Sequence, residues 1–107
     1  MDSERKSGDE DKLEDLEFEW YPAKADANWK KHKVSFDEAK TVFGDEKHLV
    51  VPDREHSDDE ERYLAIGLSD QGRFITLCFT ERDPRLRLIS ARLAEPWERR
   101  EYEIANE

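Results

Sequence analysis

Between Arg62 and Arg92 the chain alternates apolar and other residues in three runs, interrupted by two turn signals. Leu64, Ile66 and Leu68 recur at every second position, and Ile75, Leu77 and Phe79 do so again. Leu86 and Leu88 begin a third run, with Arg85 and Arg87 on its other side. A period of two marks a strand, because successive side chains leave opposite faces of a pleated backbone. Asp70-Gln71-Gly72 separates the first two runs, with glycine where a tight hairpin needs positive φ, and Asp83-Pro84 separates the second from the third. The first connection is short enough to join antiparallel neighbours. Residues 62–69 and 73–80 are therefore expected to pair antiparallel, and residues 85–92 to form a further strand whose direction stays open and decides whether Arg92 joins Arg62 and Arg82, with Ser90 and Arg92 continuing its leucine side.

The first half of the chain has helical punctuation. A short strand near residues 16–20 places Phe18 and Trp20 on one face. Pro22 suits the first turn of a helix, where its missing N–H costs nothing. That helix runs to about His32, with Ala25, Asn28, Trp29 and His32 on one side. Ser35 and Glu38 have capping-box spacing, and Val34 with Ala39 can staple the entry of a second helix. Phe36, Ala39 and Phe43 form its apolar stripe, and Gly44 is read as its C-terminal cap. A short apolar run at residues 48–51 stops at Pro52. Pro96 opens a last helix with Trp97, Glu101 and Ile104 on roughly one face. The expected architecture is α+β: a mainly antiparallel sheet, two N-terminal helices and a C-terminal helix, all packed on one sheet face. Residues 1–16 lack apolar periodicity and read as a disordered acidic tail. Residues 17–107 read as a single domain.

Charge is distributed unevenly. The 107-residue chain carries a net −10, half of it in the first seventeen residues. Six carboxylates crowd between Asp53 and Glu61, whereas residues 73–100 hold seven arginines and no lysine against four acids. The overall balance opposes strong non-specific nucleic-acid binding, but the local basic excess permits a small phosphate-binding patch. The tail is either a passive solubilising extension or an RNA mimic that transiently covers that patch. Cys78, the single cysteine, falls inside an expected strand and reads as a buried small hydrophobe. With no secretory or membrane-spanning pattern, the chain is expected to be cytoplasmic.

The order and spacing of many short segments resemble the BrnT family, ribonuclease toxins of type II toxin–antitoxin modules. They include Phe18-Glu19-Trp20, Pro22-Ala23-Lys24-Ala25, Lys31-His32, Val34-Ser35-Phe36 and Val42-Phe43-Gly44-Asp45. Asp53, His56-Ser57, Glu61-Arg62, Thr80-Glu81-Arg82, Ile89-Ser90-Ala91-Arg92, Glu98-Arg99 and Tyr102 continue the pattern. The resemblance implies a RelE-like fold and a metal-independent endoribonuclease without a cofactor. It also implies a DNA-binding antitoxin encoded in the same operon, with a heterotetramer as one form of the complex. Two positions depart from the family: Tyr21 stands where an acidic residue would cap the first helix, and Lys33 where glycine is usual.

Cleaving RNA without metal directs its own 2′-OH onto the adjacent phosphorus. That needs a base, cations for the charge that builds up, and an acid for the leaving oxygen. Arg62, Arg82 and Arg92 match the family pattern and are the expected phosphate ligands, since a guanidinium fork fits phosphate oxygens. Their replacement is expected to cost activity rather than stability. The plainer alternative pairs them with Glu61, Glu81 and Glu98 in surface salt bridges. His32 is the expected general acid or base, or else a helix-end histidine bonded to a carbonyl. Glu61 is a candidate base or a solvated partner of Arg62. Asp53, His56, Asp58, Asp59 and Glu60 have metal-ligand chemistry without recognised ligand spacing, so a solvated loop is the expected reading and no metal site is assigned. Trp20, Trp29 and Trp97 are expected to pack in the core rather than stack on bases. Two functional classes follow: an endoribonuclease toxin, or a catalytically inactive relative that only binds an antitoxin-like partner.

Overall fold

A computed structural model of the chain describes residues 12–56 and 59–107. In chain order the elements are α1 (Lys12–Asp15), β1 (Glu17–Glu19), α2 (Pro22–His32) and α3 (Phe36–Ala39), which runs straight into a 3₁₀ turn, Lys40–Gly44. Then come β2 (Leu49–Pro52), a second 3₁₀ turn at Arg54–His56, β3 (Arg62–Leu68), β4 (Phe74–Arg82), β5 (Arg85–Leu93) and α4 (Pro96–Ala105). The sheet order is β1-β5-β4-β3-β2.

The antiparallel pair read from the alternation is present, β3 with β4, and β5 joins it antiparallel to β4. Gly72 turns the first hairpin at φ 78°. The expectation of a mainly antiparallel sheet needs correction, however. The sheet is mixed, because β1 adds to β5 in parallel. That register sets Glu17 opposite Arg85 and Glu19 opposite Arg87, with ion pairs at 3.6 Å and 2.7 Å. Opposite charges facing each other across strands favour the pairing. Phe18, between them, packs on the core.

β1 covers only the start of β5, and Asn28 of α2 closes the strand edge beyond it. Its carboxamide accepts from the Ala91 N–H (3.0 Å) and donates to the Ala91 carbonyl (2.8 Å) and the Val34 carbonyl (2.9 Å). A side-chain amide offers the same donor and acceptor as a strand peptide, so it satisfies an edge that would otherwise invite pairing.

The core lies on one sheet face. Ala65, Ile75, Leu77, Phe79, Leu88 and Ala91 meet Val34, Phe36, Ala39, Val42 and Phe43 from α3 and its flanks. Leu64 and Ile66 leave the opposite face. They are not bare, because α4 crosses that second face: its Glu98 bonds Thr76 and its Tyr102 ring meets Phe74 edge-on at 4.9 Å. Packing of all helices on one face is thus overturned. The expected inward side of α4 is wrong too. Trp97 and Ile104 are about half exposed, whereas Glu98 and Tyr102 are buried. Trp29 is likewise half exposed, so of the three tryptophans only Trp20 packs against the core.

Local signals at the helix ends fare better. The Ser35 hydroxyl accepts the Glu38 N–H at 3.0 Å. The reciprocal half of the expected capping box is missing, because the Glu38 carboxylate instead takes Arg73 at 2.5 Å and Ser69 at 2.7 Å. The Arg73 bond is foremost in holding the Glu38 carboxyl below its ordinary pKa. Gly44 is not a left-handed cap; Asp45 follows it at φ −77°, and Leu13 packs over the glycine. That contact ties residues 12–16 to the fold, with Leu13 and Leu16 against the core. Residues 1–11 of the expected tail lie outside the described residues.

Tyr21 precedes α2 without a side-chain cap, and Lys33 ends it in the left-handed region at φ 58°. That conformation costs a non-glycine residue about 1 kcal/mol or slightly more. Lys33→Gly should therefore raise stability by roughly 0.5–1 kcal/mol, a rise of several degrees in Tm. The gain is trimmed by loss of the Lys33 ammonium from the Trp29 ring, 5.5 Å away. A thermal melt of the two proteins checks it, and a lower Tm in the glycine variant would contradict it.

Candidate active site

A single extra residue brings the polar site together. Cys78 pairs with Ser90 but Phe79 with Leu88, so Ile89 is a bulge in β5. Inserting one residue reverses the facing of everything beyond it. Leu88 stays on the core face, while Ser90 and Arg92 emerge on the second face. The expectation that Ser90 and Arg92 continue the leucine side is corrected by this bulge.

On the second face Arg62 pairs with Thr80, one strand over, and Glu60 joins Arg62 to Arg82. Its two oxygens lie 3.3 Å from Arg62 Nε and 2.5 Å from an Arg82 terminal nitrogen. Desolvation alone would raise the Glu60 pKa, but the charge and hydrogen bonds of Arg82 and Arg62 outweigh it and hold the carboxyl below its ordinary value. One carboxylate between two guanidinium groups sits where an anionic phosphate oxygen would be equally well received.

The link from β2 to β3 folds over this face. Asp53 closes it with a backbone bond to the Arg62 carbonyl at 2.8 Å. The following 3₁₀ turn places His56 three residues on, with Nδ1 at 3.0 and 3.1 Å from the Asp53 oxygens. A carboxylate only accepts, so Nδ1 is the donor to Asp53, and in the neutral ring Nε2 is then the acceptor. Asp53 is nearly buried at 11% side-chain exposure, whereas His56 is open at 61%. The pair is thus a fixed carboxylate orienting an accessible imidazole, the arrangement general-base catalysis requires. Under it lies Cys78. Burial foremost, then the Asp53 charge, pushes its thiol up to about 11, which makes it an inert packing group as expected from its place in the strand.

Two adjoining hollows open here. The smaller, of about 160 Å³, has a mixed lining: Asp53, His56, Arg62, Ser90 and Arg92 beside Leu64 and Ile89, among others. A larger groove of about 530 Å³ runs between α4 and β2–β3 and shares Asp53, His56, Leu64 and Arg92 with it.

The expected site residues divide. Arg62, Arg82 and Arg92 occupy the second face. The β5 direction puts Arg92 opposite Thr76, nearer the start of β4 than Arg62's partner Thr80 and so away from the corner that Arg62 and Arg82 share. Arg92 is largely committed: its terminal nitrogens bond the two oxygens of Glu98 at 2.8 and 2.9 Å. His32 ends α2, the helix that supplies Ala25 to the core on the opposite side, and it lines neither hollow. Glu61 points away from Arg62 and accepts the Tyr63 hydroxyl at 3.0 Å. The sequence reading did not pair His56 with Asp53. The signal was there, since side chains three apart on a helical turn are neighbours. Among the described residues no group of three or more His, Cys, Asp or Glu side chains converges as a metal site. Asp58 lies outside the described residues.

The fold and face define a small α+β protein with an open, arginine-lined sheet and an oriented histidine, suited to phosphodiester chemistry. Residues 20–98 match the family profile described as "Ribonuclease toxin, BrnT, of type II toxin-antitoxin system". The chain belongs to the BrnT family. It is also similar in fold to the 1.1 Å crystal structure of the Brucella abortus ribonuclease toxin BrnT, with a TM-score of 0.59 and 23% identity over 75% of this chain and 97% of that one. No curated protein matches the chain. Among the described residues no helix is long and apolar enough to cross a membrane.

Proposed function

We propose that this chain is a metal-independent endoribonuclease toxin whose reaction centres on His56, Arg62 and Arg82. The observation that carries the reading is the Asp53–His56 pair held over the sheet face where Glu60 joins two arginines. His56 Nε2 takes the proton of a ribose 2′-OH, and the resulting oxyanion attacks the neighbouring phosphorus. Arg62 and Arg82 hold the non-bridging oxygens as negative charge grows on them, in place of Glu60. The bond to the 5′ oxygen breaks and that oxygen takes a proton from solvent, leaving a 2′,3′-cyclic phosphate and a 5′-hydroxyl. Arg92 acts less directly, by fixing α4 beside the groove.

A type II toxin implies an antitoxin partner. The reading extends to a DNA-binding antitoxin from the same operon that covers the arginine face in a heterotetramer, in the cytoplasm. It extends also to a RelE-like descent for the fold, which the antiparallel β3-β4-β5 centre supports.

The test is incubation of the purified protein with RNA in excess chelator. Cleavage should persist with cyclic phosphate termini, and a strand with 2′-deoxy at the cut position should resist. Loss of cleavage in chelator would refute metal independence. RNA left intact under all conditions, together with tight antitoxin binding, would establish the inactive-relative reading instead.

A further inference from the structure

The groove between α4 and β2–β3 is larger than a phosphate needs, and its lining changes character along its length. Beside His56 and Arg92 it is polar. Further along it is walled by Leu49, Val51, Leu64 and Ile66, with Trp97 and Glu101 on the helix side. Trp97 is 46% exposed, and its Nε1–H is tied to Glu95 at 2.9 Å. That bond fixes the ring while leaving much of it open. Glu101 follows Trp97 by one helical turn, so its carboxylate stands next to the ring on the same side of α4. Leu49, Val51, Leu64 and Ile66 give this stretch an apolar wall that suits a flat group, with Arg54 also among the residues lining the groove.

We propose that this groove is a nucleobase subsite: Trp97 stacks on a base flanking the phosphate at Arg62, and Glu101 reads the N–H donors at the rim of that base. The proposal rests on the RNA-cleavage reading and adds a specificity to it. A carboxylate offers only acceptors. Guanine presents adjacent N1–H and N2–H donors that match both oxygens; adenine and cytosine present an amino group alone, and uracil a single N–H between two carbonyls. The subsite therefore favours guanine. The shared residues Asp53, His56, Leu64 and Arg92 make base and phosphate sites continuous.

The test uses uncleavable 2′-O-methyl hexauridylates with one internal residue changed to guanosine, adenosine, cytidine or an abasic sugar. Dissociation constants are measured for the wild type, Trp97→Ala, Trp97→Phe and Glu101→Ala. The guanosine strand should bind the wild type roughly 5–150-fold more tightly than the abasic one, the range expected for one stacked base. Trp97→Ala should erase that ratio and Trp97→Phe should keep part of it. Glu101→Ala should level guanosine with adenosine while both still exceed the abasic strand. Equal binding of guanosine and abasic strands by the wild type, or an unchanged ratio in Trp97→Ala, would overturn the subsite. Cleavage of ordinary RNA is scored separately. If the wild type shows the base preference but cuts nothing, the catalytic reading fails and the subsite stands. If it cuts RNA without any Trp97-dependent preference, the reverse holds.

Discussion

His56→Ala lowers the rate of RNA cleavage by roughly 10²–10⁴-fold, the usual contribution of a positioned acid–base group. The melting temperature should barely move, because the ring is 61% exposed and its bonds are to a neighbour on the same turn. Asp53→Asn separates orientation from proton transfer. The amide can still contact Nδ1, but it can donate to that nitrogen and so favour the wrong tautomer, and a smaller loss in kcat is expected. Arg62→Ala should cost about 10²–10³-fold, the effect of removing one well-placed stabiliser of transition-state charge. His32→Ala should leave cleavage near wild type, since α2 lies against the other side of the sheet. Single-turnover cleavage of one labelled RNA measures all four. Full activity in His56→Ala would remove the imidazole from the mechanism.

Arg92→Ala should destabilise the protein by about 3 kcal/mol, the lower end of the cost of stranding a buried charge, since Arg92 itself is half-buried and Glu98 fully so. This departs from the expectation that all three arginines are dispensable to the fold. Glu98 is fully buried and takes Arg92 twice, the Thr76 hydroxyl at 2.8 Å and the Glu95 N–H at 2.8 Å. Desolvation would raise its pKa, but Arg92 foremost, then the Glu95 N–H and Thr76, bring it below the ordinary glutamate value. A depressed carboxyl contributes stability that is present above its unfolded pKa and lost as pH falls through the folded one. Without Arg92 the desolvation is no longer offset, and the folded pKa of Glu98 should rise above the unfolded value. The sign then inverts: the variant keeps its stability in acid and loses it as pH rises. The gap between wild type and Arg92→Ala should be widest near neutrality and close below about pH 4, near the unfolded glutamate pKa. Glu98→Gln leaves Arg92 at the half-open surface and removes the titrating group, so its deficit should be smaller and should narrow in acid only by as much as the wild type loses the Glu98 contribution. Denaturant melts at several pH values give both curves. A deficit in Arg92→Ala that does not narrow in acid would mean Glu98 is not its origin.

Much of the fold was legible because its causes are local. The alternation at Leu64–Ile66–Leu68 and Ile75–Leu77–Phe79, the positive φ at Gly72 and the Ser35 cap depend on residues within a few positions of one another. So does the left-handed end of α2 at Lys33, where the resemblance leads one to expect glycine. Arg62 and Arg82 were placed correctly near one corner because a short hairpin leaves the start of one strand beside the end of the next. The resemblance to the BrnT family was also legible, since it rests on residue order and spacing alone.

Three things only the tertiary structure decided. The bulge at Ile89 leaves no clear mark in its own segment, yet it turns Ser90 and Arg92 from one face to the other. Period two makes facing depend on every residue counted, so one unpaired residue reverses all that follow. The inward side of α4 was misread because Trp97 and Ile104 are more apolar than Glu98. Glu98 is buried only because Thr76 and Arg92, on two different strands, converge to satisfy it. Which histidine lies beside the arginines was decided in the same way. His32 and His56 are equally plausible bases by residue type. What separates them is that the Asp53–His56 turn is folded back over the strands bearing Arg62 and Arg92, while α2 is held to the far side by Asn28 at the edge of β5. Local chemistry writes turns, caps and periodicity into the chain; facing and proximity across strands come only from long-range pairing.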